Sequence, residues 1–335
     1  MGTITNNKLI SILGTTATGK TDLALQLADK FLASYPNIKG ISIISADSRQ
    51  IYQGLEILSG ADIPTTFIQQ KNGQAYHYWH HQTQPITWHG TAIIKPNQDW
   101  SLTHFRELAI KLIKQSWQSN RLPIIIGGTG LYHYHLFNND PNLYVQPDEK
   151  WRKKATQLTV SQLQKQLKQL DQKRFTTMNQ ADQKNPRRLI RAIEVVRGLT
   201  QTTARVKNRA HFDQPKSYAQ LILATDQATL DSKIKKRVKK RFINGAIQEI
   251  ESLLALKLKP NSPSLTTTGI KPLTKFLQKE IPATEALRLW TTQEIQYSKR
   301  QLTWLKKYAQ GKWFNPQNEN CETDVWSYLL SVLKF

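Results

Sequence analysis

Leu9-Ile10-Ser11-Ile12-Leu13, followed at once by Gly14-Thr15-Thr16-Ala17-Thr18-Gly19-Lys20-Thr21, is the stretch that decides the fold. A short apolar run is broken by a loop that matches G-x-x-x-x-G-K-[ST]. In that arrangement a buried strand ends in a turn whose backbone N–H groups point inward and cradle phosphate oxygens. Lys20 is expected to reach the outer phosphate, and the Thr21 hydroxyl to ligate a Mg²⁺ that bridges phosphates. The helix that follows, with Asp22, Leu23, Leu25, Leu27 and Ala28 leading to Phe31, turns its positive N-terminal end toward the same anion. A Gly/Thr-rich turn can fit this pattern by chance, but rarely between a strand and a helix.

Outward from that loop, Gly40-Ile41-Ser42-Ile43-Ile44 reads as a second buried strand that ends at Ser45–Tyr52. Between about 62 and 100, Tyr76, Tyr78, Trp79, Ile86, Trp88, Ile93 and Ile94 suggest short antiparallel strands, a β appendage. Ser101 caps a helix in which Leu102, Phe105, Leu108, Ala109, Leu112 and Ile113 repeat at helical spacing. Leu122-Pro123-Ile124-Ile125-Ile126 is a third buried strand, closing on Gly127-Gly128-Thr129-Gly130-Leu131-Tyr132. Such alternation predicts an α/β fold, a P-loop NTPase-like parallel sheet flanked by helices on both faces. Ligands of such sheets sit at the carboxyl ends of the strands, where Gly14–Thr21, Asp47 and Thr129 should gather.

From about Pro141 the pattern turns helical and polar. Asn185-Pro186 opens a helix that Gly198 should end, with Leu189, Ile190, Ile193 and Val196 inward and Arg187, Arg188, Arg191 and Arg197 outward. Leu221-Ile222-Leu223-Ala224 returns to the sheet. One long helix is expected from about Leu230 to Leu256, burying Ile234, Val238 and Phe242 beside a stripe of Lys233, Arg237 and Arg241. Further helices are expected near Thr284–Gln310 and Val325–Leu333. The domain reading is a core over 1–140, a mostly helical insertion over 141–212 and a return to the core over 213–335.

The charge is unevenly spread. Formal net charge is +23, from 47 Lys+Arg against 24 Asp+Glu. Residues 1–149 hold 11 basic and 10 acidic groups, whereas 150–250 hold 24 and 7, a net of +17. A near-neutral part with a phosphate loop joined to a strongly basic middle suits a division between chemistry and the holding of a polyanion. No apolar run approaches the ~18 residues of a membrane span, and Met1–Lys8 carries no signal-peptide core. Cys321 is the single cysteine, which excludes a disulfide framework or a cysteine-built zinc site. A cytoplasmic protein that does not engage membranes is expected. His77, His80, His81, His89 and His104 have mostly aromatic neighbours and no carboxylate cluster, so they read as strand histidines rather than a metal site.

Taken together, five stretches resemble those of the tRNA dimethylallyltransferases. They are Gly14–Thr21, Ser45-Ala46-Asp47-Ser48-Arg49-Gln50-Ile51-Tyr52-Gln53-Gly54, Gly127–Tyr132, Asn185-Pro186-Arg187-Arg188-Leu189-Ile190-Arg191-Ala192-Ile193-Glu194-Val195, and Gln296-Tyr297-Ser298-Lys299-Arg300-Gln301-Leu302-Thr303-Trp304. The resemblance implies transfer of a dimethylallyl group from dimethylallyl diphosphate to N6 of the adenosine next to the anticodon of tRNA. It implies Asp47, Thr129 and Arg237 as catalytic residues and Gly14, Thr15, Thr16, Ala17, Thr18, Gly19, Lys20 and Thr21 around the diphosphate. Mg²⁺ would sit on Thr21. Contacts to the anticodon stem-loop would come from Arg49, Gln50, Arg188, Arg191, Arg300 and Gln301, in a monomeric enzyme. Asp47 also has a plainer role open to it, capping the turn after the second strand.

The match has departures. Thr15 replaces the usual proline, Lys233 stands for an arginine and Arg241 for a methionine. Ser59-Gly60-Ala61-Asp62-Ile63-Pro64 replaces a Gly-Thr-Ala-Lys-Pro segment, losing the threonine and the lysine. Three rivals remain. A P-loop small-molecule kinase would want an aspartate closing Ile125-Ile126-Gly127-Gly128, and none is there. A free-adenylate isopentenyltransferase would not need the basic middle, and a non-catalytic RNA-binding module would leave the phosphate loop and Asp47 idle.

Overall fold

The computed structural model describes residues 7–70, 78–138, 140–199, 212 and 214–335; Tyr76 and His77 lie outside them. The chain divides into two compact units, one of Met1–Phe137 with Gln214–Phe335 and one of Asn138–Asp213.

In the first unit the elements run β1 (Lys8–Gly14), α1 (Lys20–Ser34), β2 (Gly40–Ser45), α2 (Glu56–Ser59), β3 (Phe67–Gln70), β4 (Tyr78–His81), β5 (Ile86–His89), α3 (Leu102–Gln118), β6 (Arg121–Gly127) and α4 (Gly130–Phe137). The described strands form one sheet in the order β3-β4-β5-β2-β6-β1-β7-β8, where β7 is Ser217–Leu223 and β8 is Lys312–Phe314. β1 lies between β6 and β7, parallel to both, with Ile12 opposite Ile126 and Leu13 opposite Ile222. Leu9 to Leu13 are all buried, which is why the run does not alternate with polar residues. Ile10 and Ile12 pack with Leu27 and Phe31 of α1, while Leu13 packs with Ile222 and Leu305. The fold is the α/β arrangement the sequence predicts, with its helices on a mostly parallel sheet.

Three local expectations are corrected. The 62–100 stretch is no separate appendage: β5 pairs parallel with β2 and continues the main sheet, while β4 pairs antiparallel with β5 and β3. Ile93 and Ile94 form no strand there; Ile94 makes an isolated bridge to Tyr52. The expected single helix of 230–256 is two, Gln227–Arg241 and Ile247–Ala255, separated by a widened turn at Phe242–Ala246. Gly245 sits there at φ 120°, open to glycine and strained for a side chain, and it re-aims the chain. Further on, Ile270–Leu277, Ala283–Tyr308 and Cys321–Leu333 complete the unit's helices.

The second unit runs through α5 (Glu149–Ala155), α6 (Val160–Leu170), α7 (Gln172–Thr177), α8 (Gln180–Gln183) and α9 (Pro186–Leu199). Its core joins Trp151, Leu163, Leu167, Phe175, Leu189 and Ile193. Asn185 caps α9, its Oδ1 accepting from the N–H groups of Arg187 and Arg188 at 3.0 and 3.3 Å. Gly198 does not end this helix but lies within it, where a side chain would collide with Val145. Buried Glu194 accepts from Nε and Nη2 of Arg152 at 2.6 and 3.0 Å and pairs with Arg191 at 3.4 Å. Among the described residues no helix is long and apolar enough to cross a membrane.

On α4, His133 is buried with its Nδ1 2.7 Å from Ser11 Oγ and no described partner for Nε2. Burial drives its pKa from 6.5 down to about 3. The unfolded chain therefore binds a proton that the native state refuses, so stability falls as pH drops from about 6.5 toward 3. Urea unfolding at a series of pH values should show wild type losing up to ~1.4 kcal/mol per pH unit below that point relative to His133→Leu. Parallel curves would show that His133 takes up its proton as readily in the folded protein as in the unfolded chain.

Candidate active site

The phosphate loop is shaped by its own threonines and braced from a distant helix. Gly14 must be glycine, since a Cβ would lie 2.7 Å from both the Leu223 carbonyl and Thr18 Oγ1. Ala17 at φ 63° and Gly19 at φ 83° turn the backbone into a left-handed path, the geometry that aims successive N–H groups into one concavity. Thr18 Oγ1 donates to the Thr15 carbonyl at 2.8 Å, and Lys20 Nζ donates to the same carbonyl at 2.7 Å. Gln301, on the Ala283–Tyr308 helix, spans the site: its Oε1 accepts from the Thr16 N–H and its Nε2 donates to the Gly128 carbonyl, both at 2.9 Å. A side chain at Gly128 would strike that amide.

Across the cavity, β2 ends and delivers Asp47. Its Oδ1 accepts from the N–H groups of Arg49 at 2.7 Å and Gln50 at 3.3 Å, so the capping role is real. Its Oδ2 takes no hydrogen bond from any described residue, and Asp47 lines the cavity. Gln50 accepts from Ser45 Oγ at 3.1 Å and donates to the Gly60 carbonyl at 2.8 Å, while Arg49 Nη1 donates to the Pro263 carbonyl at 2.8 Å.

Arg237 closes the third side. Its Nη1 donates to Thr16 Oγ1 at 2.8 Å, its Nη2 donates to the Gly60 carbonyl at 2.9 Å, and it forms an ion pair with Asp62. Arg241, one turn on, is buried and paired at 3.4 Å with Glu294, which also accepts from Thr268 Oγ1 at 2.6 Å. A side chain at Gly60 would fall on the Arg241 guanidinium, so glycine there admits the cation.

Thr16, Lys20, Asp47, Asp62, Arg237 and Gln301 line one cavity of about 620 Å³; Arg241 is not on its lining. Burial, and then the Arg237 cation, bring the Lys20 pKa from 10.5 down to about 8. Arg241 is lowered to about 10, again by burial first and Arg237 second. Asp62 is held below the usual carboxylate range: burial alone would raise it, and Arg237 and Arg241 outweigh that. Burial and the Asp47 charge push the Tyr297 phenol upward.

Of the residues expected at the site, Thr16, Ala17, Gly19, Lys20, Thr21, Asp47, Arg49, Gln50, Arg237, Arg300 and Gln301 line this cavity. Gly14, Thr15 and Thr18 shape the loop from behind it. Thr129 is not on the lining, although its Oγ1 is buried and has no described partner. Gln50 and Gln301, expected among RNA contacts, have both ends of their amides engaged inside the protein. Arg188 and Arg191 belong to the Asn138–Asp213 unit. Tyr297, Glu294 and Thr266–Thr268 also line the cavity and were not among the expected residues. Tyr297 had a readable signal, one helical turn before Gln301; the Thr266–Thr268 stretch had none.

A phosphate cradle at the carboxyl edge of a mostly parallel sheet, faced by a carboxylate, defines a P-loop α/β enzyme. The family model described as IPP transferase matches residues 50–308, and the chain belongs to this family. It is 30% identical to a tRNA dimethylallyltransferase of Pelotomaculum thermopropionicum, over 94% of this chain and 93% of the relative. It is also 30% identical to one from Dictyoglomus turgidum, over 97% and 90%. Its fold is similar to that of the tRNA delta(2)-isopentenylpyrophosphate transferase of Staphylococcus epidermidis, with a TM-score of 0.63, 26% identity and coverage of 97% and 98%.

Two outcomes follow for inorganic pyrophosphate, read by calorimetry. Binding needs protonated Lys20, so wild-type affinity should fall as pH rises through about 8. Lys20→Arg, whose guanidinium stays charged, should lack that fall. Asp62→Asn should tighten pyrophosphate about fivefold, because Asp62 competes for Arg237 and repels the anion; weaker binding would make Asp62 a support for Arg237 instead.

Proposed function

We propose that the protein transfers the dimethylallyl group of dimethylallyl diphosphate to the exocyclic N6 of the adenosine next to the anticodon in tRNA. One observation carries this reading: a single cavity joins an anion cradle to a carboxylate whose outer oxygen is unengaged. The relatives' name and the basic charge of residues 150–250 support it.

Each part of the chemistry has a group to perform it. The N6 lone pair is delocalised into the adenine ring, so the amine needs orienting and its proton needs an acceptor. Asp47 Oδ2 accepts that proton, while the Arg49 and Gln50 N–H groups lock Oδ1 and so fix the direction of attack. The N6–C1 bond forms, the C1–O bond breaks, and pyrophosphate leaves with the bonding pair. Charge growing on the leaving group meets Lys20, Arg237 and the loop N–H groups, already in place before reaction. The buried Thr129 hydroxyl lies beside Tyr297, which lines the cavity.

The Thr21 hydroxyl and diphosphate oxygens make an all-oxygen donor set that fits Mg²⁺. When bound, Mg²⁺ spreads the diphosphate charge. On the RNA side, Arg300 lies at the cavity, and Arg188 and Arg191 belong to the helical unit. Arg191 is held by Glu194 and by the Asn142 carbonyl at 3.1 Å, which leaves the largely exposed Arg188 the freer of the two.

Labelled dimethylallyl diphosphate incubated with unmodified tRNA, followed by nucleoside mapping, tests the reading. Label should appear on the adenosine beside the anticodon. Asp47→Asn should bind tRNA normally and lose roughly 10²- to 10⁴-fold in transfer. Equal activity on free AMP and on an anticodon stem-loop would overturn the tRNA assignment.

A further inference from the structure

The Ala283–Tyr308 helix continues past the cavity. Tyr297 and Gln301 line the pocket, and Trp304 and Tyr308 follow at steps of three and four, so all four lie along one stripe. Gln301 has a role, bracing the phosphate loop. Trp304 and Tyr308 have none in the chemistry described.

Trp304 is partly buried against the Leu13, Ile222 and Leu305 cluster, but the aromatic group around it reaches the surface. The Trp304 ring lies against Gly130, where any side chain would collide with it, so the indole is fixed in place. Tyr134 of α4 meets it edge-on with centroids 6.2 Å apart, and Tyr308 lies 5.1 Å from it at 36°. Tyr134 and Tyr308 are 43% and 40% exposed, and neighbouring Leu131 is 41% exposed. Large apolar side chains exposed together, rather than scattered, mark a binding surface. The charge around them has one sign. From Ile295 to Tyr308 the helix carries Lys299, Arg300, Lys306 and Lys307 and no carboxylate, and α4 has no carboxylate either. Lys307 Nζ sits 5.1 Å from the Tyr308 ring centroid.

We propose that Tyr134, Trp304 and Tyr308 form a stacking platform for single-stranded RNA nucleotides flanking the adenosine that enters the cavity. The inference rests on the tRNA reading above and adds to it where the neighbouring bases go. Aromatic faces combined with phosphate-pairing cations are the means by which proteins hold unpaired nucleotides. A loop whose reactive base is turned out must place its neighbours on something, and this stripe begins at residues that line the cavity. A protein partner would find four cations here and no anion to answer its own basic groups.

The experiment uses the full chain and a fluorescein-labelled anticodon stem-loop, with binding read by anisotropy in the absence of prenyl donor. Tyr134→Ala with Tyr308→Ala should weaken binding about tenfold or more. Tyr134→Phe with Tyr308→Phe should bind as wild type, since stacking needs the ring and not the hydroxyl. The KM for dimethylallyl diphosphate and kcat at saturating RNA should be unchanged. With 2-aminopurine placed in turn at each loop position, at least one position should be quenched by wild type and not by the double alanine variant.

Unchanged affinity in the alanine variant, or quenching equal to wild type at every position, would overturn the platform. A change in oligomeric state with RNA affinity intact would also overturn it, assigning the patch to a second copy of the chain. Because binding is read without donor, these results stand apart from the transfer assay. Wild type that bound and quenched the stem-loop without prenylating it would sink the functional reading and leave the platform standing.

Discussion

A desolvated ammonium beside a half-buried guanidinium is the constraint the rest of the site answers to. Lys20 is removed from water and lies within the field of Arg237, which is why its pKa falls to about 8. Such a pair is unfavourable until an anion arrives, and that is its use: the field awaiting a diphosphate is not quenched by solvent. The fold must hold it open. The Thr15 carbonyl takes Lys20, the Gly60 carbonyl and Asp62 take Arg237, and Glu294 takes Arg241. None of these carboxylates belongs to the phosphate loop, so the loop keeps its positive character.

What the sequence reveals follows the range of the interactions. β1, the loop and α1 are legible because the motif is local: the apolar run, the two glycines and the Lys-Thr pair determine one another within a dozen residues. Asp47 is legible for the same reason, as it follows a strand end. β5 is not, because its pairing with β2 is set by sheet register rather than by its own pattern, and Trp88 and Ile86 suit an antiparallel strand equally well. Gly245 hides inside a helical pattern because one glycine does not state whether its φ will be positive. The internal bonds of Gln50 and Gln301 are not legible either, because each amide reaches a carbonyl on a segment distant in sequence or on another loop, Gln301 to Gly128 and Gln50 to Gly60.

Asp47 shows why a bland and a sharp reading of one residue need not compete. A carboxylate has two oxygens, and the turn after β2 occupies one of them. That engagement removes a rotational freedom the base would otherwise have to lose on reaching the reactive geometry. On the proposed mechanism the cap is therefore part of the preparation for catalysis. The Asp47 carboxylate also acts on Tyr297, whose phenol it helps keep protonated, so the cavity wall opposite retains a neutral donor.

The departure at Asp62 is explained by charge placement. Ser59–Pro64 lacks the threonine and lysine of the segment it resembles, and its Asp62 stands beside the anion site, which alone would weaken it. At Arg241, where a methionine is expected, a cation has been added one helical turn beyond Arg237. Gly60 makes the space, since any side chain there would occupy the guanidinium's position. The added cation is not on the cavity lining; it is buried and paired with Glu294. Glu294 and Thr268 fix the new cation, and Asp62 balances the resulting crowd of guanidinium groups. With Arg241 answered by Glu294 and Arg237 shared with Asp62, Lys20 is the cation of the loop that meets the cavity without a carboxylate partner of its own among the described residues, so the pull on an anion is centred there.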